Sequence, residues 1–427
     1  MSSKIISALP ELIEKEIITE EIAQKIAAYY GTSEDTNSNR LFVLFGILGA
    51  TLVGLGLILI MAHNWDNFPK IVKLILAFFP MIVGQAILGF SIFKDKSVAW
   101  RESATVFLFF SVGLCIALVS QIYHVSGDLE SYLLAWIILC LPLLYVTKST
   151  SAIILQLIFI TYYAFEAGFG YRFEGNSTIP QVYFLLLLFP LGRYIQLIKS
   201  NEKTHVISIL NWLFPISLLF ALPVCIDDSE GIGYLMYALV FGVFYNIGQL
   251  PYFQNKSLIQ NGYRFLGSVG TIIILLTLSF RIVWEYQFKD VRFDSQEFFC
   301  AAVLFVIASV LLYFHIRRRA QQSIKLFQVV FLLFTLIFVI GLVDYITATV
   351  LINILLLALG IMAIKEGADT FNFLKLNYGM LIITVLIACR FFDTDMTFAL
   401  RGFIFILIGA GFFTANYLML KKQKSKN

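Results

Sequence analysis

Apolar runs of about twenty residues recur from Leu41 to Leu420, each closed by a short cluster of charged, polar or glycine positions. A hydrocarbon core about 30 Å thick takes roughly 20 residues of helix to cross, so each run predicts a transmembrane helix. The two-residue alternation of a barrel strand is absent, and helices are the other structure that satisfies every backbone group in lipid. About fourteen spans are predicted in this way: 41–62, 71–93, 104–123, 131–147, 150–169, 179–198, 205–224, 232–250, 262–283, 297–316, 324–343, 346–364, 372–390 and 398–420. A single helix over 324–364 would be about 60 Å long, twice the core thickness, so a tight hairpin is predicted at Asp344-Tyr345. Span 131–147 runs almost directly into the next, and Lys148 sets the boundary because its ammonium needs an aqueous end.

The residues before the first span read differently. Leu9, Leu12, Ile13 and Ile17, then Ile18, Ile22 and Ile26, recur at helical spacing, and Thr19 followed by Glu20 and Glu21 has the form of a helix start. Residues 1–40 are thus an amphipathic helical cap and linker, 41–420 a transmembrane bundle and 421–427 a basic tail. The expected fold class is all-α, a polytopic membrane bundle with a short helical cap.

Composition excludes the alternative of a water-soluble globule. Hydrophobic residues make up 59% of the chain and charged ones 14%, more apolar surface than one core can hide. Net charge is +4, but membrane proteins read charge loop by loop. The polar first forty residues predict no cleavable signal peptide, so the first span acts as an anchor. With an even number of spans, one set of loops and the termini carry about nineteen lysines and arginines, against Lys70, Arg172, Lys289 and Arg292 on the other side. That asymmetry predicts a multi-pass protein of the bacterial inner membrane with both termini cytoplasmic. The acids fall on the opposite, outer side, among them Asp66, Asp128, Glu130, Asp344, Asp393 and Asp395, where an acidic mouth would concentrate cations.

Three polar clusters are expected on the outer face. The first is His63-Asn64-Trp65-Asp66, in the turn after the first span. The second closes the third span with Gln121, Tyr123, His124 and Asp128. The third joins the last two spans with Arg390, Asp393, Asp395 and Arg401. Histidine with aspartate supplies ligand types for a metal, but the spacing matches no metal motif, and interfacial aromatic and imidazole groups suit the headgroup belt. No metal site, cofactor or catalytic set is assigned. Arg390 and Arg401 either grip an anionic headgroup or pair with Asp393 and Asp395, and pairing is the favoured expectation. Inside the bundle, Glu166 and Asp344 are the ionisable positions of interest. Gly46, Gly49, Ala50, Gly54 and Gly56 give the first span a small-residue face suited to a central position. The five cysteines have no C-x-x-C spacing and read as buried free thiols.

The amphipathic cap, the Gly-rich span ending in Asn64-Trp65-Asp66 with Pro69 and Lys70 after it, and Gln121-Ile122-Tyr123-His124 before Gly127-Asp128 and Trp136 resemble a bacterial family of predicted membrane proteins, catalogued as domain of unknown function twenty-one fifty-seven. The resemblance covers the first 150 residues. Asn377-Tyr378-Gly379, Arg390-Phe391-Phe392-Asp393 and Arg401-Gly402 look like the same family's C-terminal part, and residues 150 to 370 share only hydrophobicity with it. It implies a membrane class and no particular activity.

Three functions fit these residues. The leading one is a transporter or flippase for a small cation or a lipid-linked solute, its outer gate built from Asp66, His124, Asp128 and Asp393. No internal repeat and no Gly/Pro-broken pair of spans supports it. The second is a non-catalytic scaffold or envelope sensor with a protein partner on residues 1–40. The third is a lipid-linked glycosyl- or phospho-transferase using Asp66. Membrane lipids are expected partners and nucleic acid is not.

Overall fold

The computed structural model describes residues 67–174, 182–200, 204–224, 230–253, 256–288, 291, 293–318 and 324–393, together with parts of 9–31, 45–59 and 402–420. Among the described residues there are helices and no strands. After the cap helix α1 (Glu20–Gly31) come α2 (Lys70–Phe93), α3 (Val98–Tyr123), α4 (Leu129–Cys140), the one-turn α5 (Leu143–Val146), α6 (Thr150–Glu174) and α7 (Val182–Ser200). Then follow α8 (Thr204–Ala221), α9 (Glu230–Ile247), α10 (Gly262–Thr277), the short α11 (Arg281–Gln287), α12 (Gln296–Arg318), α13 (Leu326–Gly341), α14 (Tyr345–Asp369) and α15 (Phe373–Asp393). Each predicted span from 71 to 390 thus contains helix among its described residues.

Among the described residues eight helical segments, the α4–α5 pair taken as one, are long and apolar enough to cross a membrane, nine if α10 and α11 are one bent span, and 205–221, 231–247 and 326–341 are shorter apolar helices. Large apolar side chains stay exposed along them, among them Phe79, Phe93, Phe299, Val303, Leu336 and Ile354. Water would penalise such a surface, whereas a lipid tail is as apolar as they are. The fold is a polytopic membrane helix bundle.

The chain gathers into two compact units, residues 1–166 with 184–193, and residues 167–183 with 194–427. In the first, α2 and α3 form a hairpin and α4 crosses α3 at an aromatic knot. Trp136 donates from Nε1 to the Phe109 carbonyl at 2.8 Å and lies against Gly113, where a Cβ would collide with the indole. Phe109 and Phe159 meet the same ring at centroid distances of 5.5 and 4.5 Å. The α5–α6 turn is closed from a distance. Glu102 on α3 accepts from the Thr150 and Ser151 amides at 2.8 Å each and from the Ser149 hydroxyl, satisfying the open N-terminus of α6. Lys148, in the left-handed region at φ 51°, makes the predicted turn.

In the second unit α9 is buried on nearly all sides and packs against α10, α12 and α13. It starts two residues before the predicted span 232–250 and ends three residues short of it. The hairpin predicted at Asp344-Tyr345 forms there, and Asp344 caps α14 through the Ile346 and Thr347 amides. α14 and α15 pack closely, since a Cβ on Gly379 would stand 2.6 Å from the Ile364 nitrogen and 2.7 Å from the Gly360 carbonyl.

The described residues of the first span behave otherwise than its composition predicts. Phe45, Leu48, Leu52, Val53 and Leu59 are exposed, and a Cβ on Gly46, Gly49 or Gly56 would meet nothing within 4 Å. Small residues permit close packing without compelling it, and these three glycines are not pressed against a neighbour.

Candidate functional site

His63, Asn64, Trp65 and Asp66 lie outside the described residues, as do Asp395 and Arg401, and Asp393 is described only as the last residue of α15. Of the second cluster, Gln121, Tyr123, His124 and Asp128 are all exposed around the α3–α4 turn. His124 is the C-cap of α3, with φ 51° and ψ 40°. Asp128 is the N-cap of α4, accepting from the Ser131 amide at 2.8 Å. Hydrogen bonding from the Ser131 side chain and backbone holds the Asp128 carboxyl below the ordinary aspartate range. Asp344 is held below that range too, by the Thr347 hydroxyl and backbone and the Ile346 amide. Both acids are engaged as helix caps. Glu166 is half-buried on α6. Among the described residues no three His, Cys, Asp or Glu side chains gather as metal ligands would, and Cys115, Cys140, Cys300 and Cys389 are not in disulfides.

Arg390 leads to a feature the hydropathy pattern does not reveal. α10 stops at Thr277 and α11 starts at Arg281, bent by 83° across the break. No glycine or proline lies at the junction, Leu276-Thr277-Leu278-Ser279-Phe280-Arg281. The break is held by side chains that take up the carbonyls left free. Trp284 Nε1 donates to the Leu278 carbonyl at 2.7 Å, Asn353 Nδ2 to the Ser279 carbonyl at 3.2 Å, and the Ser279 hydroxyl to the Leu276 carbonyl at 2.7 Å. Two guanidiniums flank it. Arg390 donates to Ser279 Oγ at 3.0 Å and stacks over Phe280, its Cζ 5.0 Å from the ring centroid. Arg281 donates to the Tyr345 hydroxyl at 2.9 Å and lies 5.1 Å from that ring's centroid.

A second basic cluster occupies the other end of the same helices. Lys325, the N-cap of α13, and Lys375, in the first turn of α15, both donate to Glu366 Oε1 near the end of α14, at 2.5 and 2.8 Å. Arg264, in the first turn of α10, adds its charge to Lys325. Next to this cluster is a layer of buried amides. Asn246 donates to the Gly242 and Gln328 carbonyls at 2.9 and 3.1 Å, Asn261 to Gly248 at 2.9 Å, and Asn211 to Gln260 at 2.7 Å. His315 Nε2 meets the Asn246 carbonyl at 2.9 Å.

α10, α14 and α15 therefore meet at two polar stations, one of Arg264, Glu366 and Lys375 at one end of these helices, the other of Ser279 just past α10, Asn353 two turns into α14 and Arg390 near the end of α15. Further along α15, an open groove of about 750 Å³ is lined by Asn377, Tyr378, Phe412 and Asn416, with Asn416 Nδ2 donating to Asn377 Oδ1 at 3.1 Å.

Sequence reasoning singled out Arg390 and missed Glu102, Arg264, Arg281, Lys325, Glu366 and Lys375. Each lies at or near a span end, where a charge reads as ordinary interfacial solubility. The available signal was an acid on a span end: Glu102 beside Arg101, and Glu366 directly after Lys365, on the side otherwise crowded with lysine and arginine.

An all-helical chain whose long helices are apolar and bear lipid-compatible exposed faces is a multi-pass membrane protein. Residues 10–153 match the model of a family described as Predicted membrane protein (DUF2157), which covers the N-terminal motifs read above and stops short of the second unit's clusters. No curated protein and no solved structure gives a match.

Proposed function

We propose that the protein is a membrane transporter or flippase whose path runs through the second unit, and that its solute is lipid-linked and bears an anionic group. The observation that carries this is the discontinuous span α10–α11. An interrupted helix held open by side chains is the device by which membrane proteins expose backbone groups to a solute within the bilayer. Arginine beside it suits phosphate or carboxylate better than a cation. The small-cation alternative is weakened because Asp128 and Asp344, two acids of the expected mouth, are spent on helix N-termini. In this reading the termini are cytoplasmic in a bacterial inner membrane and the break lies toward the outer leaflet.

The test is reconstitution of the full chain into liposomes with a fluorescent polyisoprenyl-phosphate lipid. Movement between leaflets well above protein-free vesicles is expected, with a fall of about tenfold for Arg390→Gln, the loss of one charge-assisted contact. A rate equal to that of empty vesicles overturns the proposal. Deleting residues 1–36 should leave the rate intact; a scaffold working through the cap would instead lose its partner.

A further inference from the structure

The Lys325, Lys375 and Arg264 cluster is charged out of proportion to its structural task. One carboxylate oxygen, Glu366 Oε1, receives both ammonium groups. A single salt bridge would tie α14 to either neighbour, so the second lysine and the arginine leave an excess of positive charge. The side chains are two-thirds or more buried, with exposures of 32%, 23% and 33% for Lys325, Lys375 and Glu366. Charge in such a place is screened far less than on an open surface.

The backbone adds to the excess. Lys325, Lys375 and Arg264 stand at the N-terminal ends of α13, α15 and α10, whose dipoles are positive there, and Glu366 stands at the C-terminal end of α14, which is negative. Each of the four charges is on the end of its helix that disfavours it. Helix ends are ordinarily charged the other way, and local rules broken together mark a place kept for something other than stability. Three cations, three helix ends and one carboxylate are together complementary to a small, multiply charged anion. All three side chains of the ion pairs keep part of their surface accessible.

We propose that Arg264, Lys325 and Lys375 form a binding site for a phosphate group, with Glu366 holding the two lysines apart from solvent and in register until the anion arrives. The ligand is a phosphate monoester or diester, either the headgroup of an acidic lipid or free phosphate. Basic pockets between transmembrane helices are suited to such headgroups. The proposal deepens the transport reading by naming the anionic group, and it rests on that reading only for where the ligand goes next.

The experiment is equilibrium binding to the purified full-length protein in neutral detergent, with short-chain phosphatidic acid, inorganic phosphate, and phosphatidylcholine as the uncharged control. Wild type should bind phosphatidic acid and not phosphatidylcholine; competition by inorganic phosphate assigns the site to free phosphate, and its absence to the lipid headgroup. Lys375→Gln and Arg264→Gln should each weaken binding about tenfold, as loss of a nearby charge does in a partly buried site. Arg264→Gln leaves both lysine–glutamate contacts in place, so it tests the site even if Lys375→Gln folds poorly. Glu366→Gln should bind several-fold more tightly while melting at a lower temperature, a divergence that a purely structural ion pair would not give. Wild-type binding by Arg264→Gln and Lys375→Gln overturns the proposal, as does an equal loss in Arg317→Gln/Arg318→Gln, which would make the effect one of general surface charge. No translocation is measured, so inactive liposomes with intact binding would defeat the transport reading alone.

Discussion

At the scale of single residues, the ionisable groups divide by what they hold. Asp128 and Asp344 each cap the helix that follows them, within three residues, so their roles are visible in the sequence as an acid ahead of an apolar run. Glu102 does the same for α6 from 48 residues away in Thr150 and 49 in Ser151, and no local pattern could disclose it. A carboxylate accepting two backbone amides and a hydroxyl at a helix start is the strong form of a cap. Glu102→Ala should therefore lower the stability of the detergent-solubilised protein by about 1–3 kcal/mol, the cost of leaving those donors unpaired. Glu102→Gln, which keeps an acceptor oxygen, should lose less. Thermal melts of the three proteins check the order, and equal melting temperatures would show that the α6 start is satisfied without Glu102.

At the scale of elements, hydropathy made the helices legible because lipid imposes one length on everything that crosses it. Spans 71–93 and 150–169 begin within a residue of α2 and α6, and the hairpin at Asp344 falls where the length limit requires it. The break between α10 and α11 was not legible. Glycine and proline are the usual marks of an interrupted span, and here the interruption is held by Trp284 and by Asn353, a residue 74 positions from the carbonyl it binds. Nor was the packing role of individual glycines apparent: the rich glycine face of the first span is open, while the isolated Gly379 is pressed against α14. Gly379→Leu should force α14 and α15 apart and cost about 1–3 kcal/mol of stability, as overpacking does. A melt of this variant against Gly49→Leu separates the two positions; the second should be nearly neutral, and the reverse order would contradict the packing described.

At the scale of the whole molecule, the sequence disclosed the class and little of the site. Residues chosen from loop composition fell partly on helix caps, and Arg390 alone led to the second unit's network. The remaining members were hidden because contacts such as Lys325 to Glu366, across 41 residues, are made by helix packing and not by proximity in the chain. The proposed path needs the two stations on α10, α14 and α15 to face opposite sides of the membrane. The stations are 13 residues apart on α14 and 15 apart on α15, about 20 and 22 Å along the axes, which sets them toward opposite faces of a hydrocarbon core about 30 Å thick. The direct measurement is labelling of single cysteines placed in a cysteine-free chain, Thr370→Cys in the α14–α15 turn beside the lysine cluster and Tyr286→Cys on α11 beside the break. In intact cells a membrane-impermeant maleimide should label Tyr286→Cys and leave Thr370→Cys unlabelled until the membrane is opened. Labelling of both positions from the same side would place the two stations on one face and contradict a path between them.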